Sequence, residues 1–165
     1  TYSTLPIIIH ECNHSFCDPL NEEFWPQLQT TMDAFYAANA QHYKDEAYGG
    51  AQYVLNETFV EACVMRYLKT HPFDFSENIE RWQQVLKISD EQLANAMDRI
   101  TLLNDTYINL LTKIDDEDKR FYMIRDVIKI LEEREQKQEA YPTMHDFMPR
   151  YIEVINAYDG LSQQQ

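Results

Sequence analysis

The chain has 165 residues, of which 44% are hydrophobic and 13% aromatic. That is enough apolar side chain for one domain with its own core, and too much for a disordered chain. A formal net charge of −14 argues against binding to nucleic acid or docking on an anionic membrane.

With only 3 Gly and few turn dipeptides, helices are expected rather than many short strands. The first is a motif helix over 5–17, with a strand-like entry at 6–9. Asp18-Pro19 ends it, because the residue before proline is pushed out of the α region. Cys12 falls about 200° round this helix from His10 and is expected to pack into the core. A second helix runs from 22 to 44, opened by Asn21 as cap or by Pro26 in its first turn, with Phe24, Leu28, Met32, Phe35 and Tyr36 as its apolar stripe. Gly49-Gly50 breaks the chain. A third helix spans 51–70 and stops at His71-Pro72. Ser76 caps a short helix over 77–87. Ser89-Asp90-Glu91-Gln92 reads as a capping box that opens a helix to about 113. Asp115-Asp116-Glu117-Asp118 starts another, to about 139, placing acids at the positive end of the helix dipole. A last helix begins at Thr143 and ends near Tyr158. No apolar run approaches the ~20 residues of a membrane span.

The densest chemistry lies in His10-Glu11-Cys12-Asn13-His14, an H-E-x-x-H. On a helix, two histidines four residues apart return to one face, about 6 Å along the axis, where both rings can hold one zinc ion. Glu11 then sits beside the metal without ligating it, the place of a general base. A catalytic zinc takes three protein ligands. The third helix supplies the missing one: Val54, Glu57, Glu61, Met65 and Leu68 share a face that is apolar except for two carboxylates. A core-facing carboxylate costs several kcal/mol unless it is paired or metal-bound. Glu57 is the preferred ligand. Glu61 is read as a salt-bridge partner, for example of Arg66, or as a residue that orients a ligand imidazole. Asp18 either orients a histidine or simply ends its helix. Tyr48, Tyr53 and His145 are candidate donors to an oxyanion. Tyr53 has the best position, one turn before Glu57. His42 and His71 read as surface or helix-end residues. Three cysteines without a CxxC do not make a disulfide framework, although Cys17 and Cys63 could pair.

These segments together resemble the gluzincin branch of zinc metallopeptidases, in which HExxH on one helix is completed by a glutamate on a later helix, often in an Asn-Glu dipeptide; Asn56-Glu57 matches that. More narrowly, His10–Phe16 with Pro19, Asn56–Tyr67 and Tyr141–Pro149 resemble an uncharacterised family of secreted bacterial domains, mostly from Bacteroidetes. The resemblance implies zinc on His10, His14 and Glu57, Glu11 as base, a peptide or protein substrate, and an extracellular or periplasmic location. It implies a mainly α fold, the helical C-terminal part of a zincin-like peptidase, with little or no sheet. Two departures stand out. The separation of His14 and Glu57 is longer than in typical gluzincins, and Glu61 stands where the narrower family carries a basic residue. Zincins usually bind substrate along a sheet edge before the motif helix, and only nine residues precede His10 here. The chain is therefore expected to be the C-terminal, helical fragment of a longer protein.

Overall fold

The computed structural model describes residues 5–45, 47–71, 83–85, 87–98 and 121–158. Among them the chain is mainly helical and contains no strand. Among the described residues, the helices that build the core are α1 (Leu5–Ala38), α2 (Ala40–Asp45), α3 (Ala51–Thr70), α4 (Ile124–Gln136) and α5 (Met144–Asn156). Helix α1 packs on α3, α3 on α4, α4 on α5 and α5 back on α1, so the four longer helices close a ring around one core. Helix α3 is its centre. Val54, Leu55, Phe59, Val60, Ala62, Val64 and Leu68 are buried on several of its sides, as expected of a helix packed against more than one neighbour. Leu28, Met32 and Phe35 from α1, Val127, Ile130 and Leu131 from α4, and Phe147, Tyr151 and Ile155 from α5 fill the rest. The rings of Phe59 and Tyr151 meet at 4.8 Å across the middle.

Helix α1 corrects the sequence reading most. The stretch expected as an extended entry, a motif helix, a stop at Asp18-Pro19 and a second helix is one 34-residue helix with Pro19 and Pro26 inside it. Each proline removes an N–H and crowds the carbonyl four residues back, at a cost of about 3 kcal/mol in a helix interior. Both prolines are exposed, as are Ser15 and Glu22, whose carbonyls lose their partners. Water can satisfy those groups. Packing of the opposite face carries the helix through. Asn21, expected as a cap, is fully buried within α1. The helix ends instead at Asn39, whose side-chain amide donates to the Phe35 carbonyl at 2.9 Å, and α2 follows at once.

The same geometry corrects Cys12. The packed face of α1 is the one that carries the histidines, so Cys12, on the opposite side, is exposed, and Phe16 is 71% exposed. Cys17 takes the core place. His42 is half-buried against the rings of Tyr43 and Tyr122 rather than at the surface. His71 caps the end of α3, stacked on Tyr67.

Helix α3 keeps its expected bounds. Ser89 and Gln92 form the expected reciprocal cap, with Gln92 N–H donating to Ser89 Oγ at 3.2 Å and Ser89 N–H to Gln92 Oε1 at 2.9 Å. Residues 90–98 are helical. The cap at Ser76, the end of that helix near 113 and the acidic start at 115–118 lie outside the described residues. The described part of α4 ends at Gln136 rather than near 139. Helix α5 starts where expected, with Thr143 as its N-cap, and ends at Asn156 rather than near Tyr158.

Candidate metal centre

Helices α1 and α3 face one another along a seam of side-chain pairs: His10 meets Glu61 and Glu57, His14 meets Glu57, and Asn21 meets Asn56. This pairing brings the two halves of the predicted site together. Spacing of four residues on α1 stacks His10 over His14, with ring centroids 4.8 Å apart and the rings nearly perpendicular. Their Nε2 atoms are 3.1 Å apart. Glu57 closes the group from α3, with Oε2 3.5 Å from His10 Nε2 and Oε1 3.6 Å from His14 Nε2.

A carboxylate stands beyond each imidazole. His14 Nδ1 is hydrogen-bonded to Asp18 Oδ1 at 3.1 Å, whereas His10 Nδ1 lies 3.3 Å from Glu61 Oε1, within ion-pair distance but without hydrogen-bond alignment. Glu61 is therefore not the partner of Arg66, which instead joins α3 to α4 through Glu132 and Glu135. Asp18 does not end a helix; it stands one turn past His14 and faces its ring. An acceptor at Nδ1 draws the ring proton there and leaves Nε2 with its lone pair.

Proton accounting then tests whether a metal fits. With both Nδ1 atoms protonated, two Nε2 lone pairs and a carboxylate converge on one point. Three electron-rich groups at 3.1, 3.5 and 3.6 Å repel one another unless a cation lies among them. Ligands on a tetrahedral zinc, about 2.0–2.1 Å from the ion, stand roughly 3.4 Å apart. Glu57 meets the two rings through different oxygens; taking one donor atom from each residue, the three lie within 4.8 Å of one another, close enough to share one ion after small side-chain adjustments. Without a metal, a proton serves. The Glu61 carboxylate beside the ring raises the pKa of His10 above its ordinary value; burial offsets part of the effect, and Glu57 and Glu11 add to it.

The other predicted residues are placed less centrally. Glu11 follows His10 at the solvent edge of α1, exposed, where its charge acts on the His10 ring. Tyr53, 66% exposed, stands one turn before Glu57 and lines a polar cleft of 270 Å³ with Asp18, Glu22, Gln52 and Asn56. The cleft thus adjoins the centre through Asp18. Tyr48 and His145 are not brought to the site. Tyr48 packs against Tyr43 and Phe121, and His145 pairs with Glu23 at 3.0 Å. The residue that sequence reasoning missed is Asn21. Its amide donates to Asn56 Oδ1 at 2.9 Å, which fixes the side chain next to Glu57. An Asn on the same face as two histidines was the available signal.

Compared with protein-family models, curated proteins and solved structures, the chain matches none.

Proposed function

We propose that the chain is a zinc-dependent peptidase, with zinc held by His10, His14 and Glu57. One observation carries this reading: His10, His14 and Glu57 bring one donor atom each within 4.8 Å of one another, with a carboxylate beyond each imidazole. Metal-binding histidines commonly give their other ring N–H to a carboxylate, which fixes the tautomer and strengthens the ligand. Bound there, zinc would act as a Lewis acid that polarises a peptide carbonyl and makes water acidic near neutral pH.

The protein's own groups supply the rest. Glu11 lies beside a ligand and at solvent, so it can take the proton of an attacking water and return it to the leaving amine. Tyr53 offers an O–H at the rim of the adjoining cleft for the oxygen that gains charge. Asp18 and Glu61 hold the two rings in register while this happens. The cleft beyond Asp18 gives an extended peptide a place to lie.

Glu11→Gln tests the reading. It is expected to abolish cleavage of a peptide library while leaving about one zinc per chain by elemental analysis. A wild type that binds zinc but cleaves nothing would leave a second reading standing, a non-catalytic domain stabilised by the ion. That alternative draws on the placement of the ligands, which bridge the two helices with the most extensive packing. A purified protein with no zinc would sink both.

A further inference from the structure

A second pair of reactive side chains spans the same two helices. The Sγ atoms of Cys17 on α1 and Cys63 on α3 are 3.9 Å apart, 46 residues distant in the chain. Both are free thiols; Cys17 is buried and Cys63 half-buried. They line one opening of 440 Å³, walled by Phe16, Leu20, Phe59 and Met144. The pair is therefore in the core on one side and reachable from solvent on the other. Disulfide sulfurs sit about 2.05 Å apart, so the two sulfurs must close by roughly 2 Å to form a bond.

We propose that Cys17 and Cys63 are a reversible disulfide site, oxidised by a small-molecule disulfide that enters through this opening and joining α1 covalently to α3. Cys63 leads the exchange, being the more accessible sulfur. Its thiolate attacks the oxidant's S–S bond, forms a mixed disulfide and releases one thiolate. Cys17 then attacks Cys63 Sγ, loses its proton to the medium and expels the second thiolate. Two protein thiols and one oxidant disulfide become one protein disulfide and two small thiols. The order agrees with the hydrogen bonding: Cys17 donates to Cys63, and that bond together with burial keeps the Cys17 proton in place until the second step.

The consequence is mechanical. Cys17 lies one turn beyond His14, and Cys63 lies on the helix that carries Glu57. The bond would fix the register of the two helices that hold the histidines and the glutamate. Cys12, exposed on the other side of α1, is the built-in control. The proposal does not depend on catalysis or on zinc.

The test is oxidation of the folded protein with glutathione disulfide, followed by alkylation with N-ethylmaleimide, intact mass and a non-reducing peptide map. The expected product has lost two hydrogens, carries a Cys17–Cys63 cross-linked peptide, and reverts with dithiothreitol. Its unfolding temperature should rise by at least about 5 °C, because the cross-link restricts the unfolded chain. Cys63→Ala should abolish both changes, and Cys12→Ser neither. A folded protein that keeps Cys17 and Cys63 alkylatable, stops at a mixed disulfide on either of them, or cross-links through Cys12 would overturn the proposal. Because the mass map uses the wild type, it decides the matter even if Cys63→Ala folds poorly.

Discussion

At the scale of the residue, the centre is a problem in proton placement. Asp18, hydrogen-bonded to His14 Nδ1, favours the tautomer whose Nε2 lone pair faces inward, and Glu61 is the nearest acceptor to His10 Nδ1. Removing either carboxylate should weaken zinc without removing a ligand. Asp18→Asn and Glu61→Gln are each expected to lower zinc affinity about 10–100-fold, while Glu57→Gln should lose more because it removes a donor. Competition titration against a chromogenic chelator measures this; an unchanged affinity for both amide variants would deny the carboxylates their orienting role. Much of this centre was legible in the sequence. H-E-x-x-H fixes its own geometry once it lies on a helix, and Glu57 and Glu61 on an apolar stripe demand a partner. What the sequence left open was pairing between helices. Glu61 could have met Arg66 until the packing of α1 on α3 placed it against His10. Asn21 read as a cap because its partner, Asn56, belongs to another helix.

At the scale of the element, local signals succeeded where the interaction is local. Ser89 with Gln92 forms the reciprocal cap that its spacing suggests, and the start of α5 carries a second one, Thr143 with Asp146. Pro19 and Pro26 show the opposite case. Their local preference breaks a helix, but tertiary packing of Leu28, Met32 and Phe35 overrides it, and the penalty falls on a wet face. The α5 cap allows a test with a sign. Asp146 accepts from the Thr143 hydroxyl and backbone N–H, and those bonds hold its pKa below the ordinary value. A depressed folded-state pKa means the contribution to stability is present above about pH 4 and is lost as pH falls through the folded value. Asp146→Asn should thus flatten the acid limb of thermal stability below about pH 4 and change little at pH 7 beyond its own cap loss. Thr143→Ala should cost about 1 kcal/mol at neutral pH. Denaturant unfolding across pH 2–7, as an approximate working range, checks both; an Asn variant whose acid limb follows the wild type would remove the cap from the account.

At the scale of the whole molecule, the proposed metal centre would also be part of the fold. Its ligands come from two helices, so an ion bound there stabilises only the assembled α1–α3 pair. The cost of bringing carboxylates to that seam is visible: Glu61 is buried at 8% exposure, and Glu57 keeps 22% of its side-chain surface. Without a cation, those charges rely on protonated histidine. Zinc at a hundredfold excess over its dissociation constant should add about 2.7 kcal/mol to stability, which for a chain of this size is an upward shift of roughly 5–10 °C. Stripping with a chelator should reverse the shift. Glu57→Gln should abolish most of it, whereas Glu11→Gln should keep it, because Glu11 stands outside the donor set at the solvent edge. Differential scanning calorimetry with and without zinc separates the roles of these two glutamates. If Glu11→Gln loses the shift as completely as Glu57→Gln, Glu11 is a ligand rather than a base. If neither variant changes it, zinc binds elsewhere and the α1–α3 seam is held by protons alone.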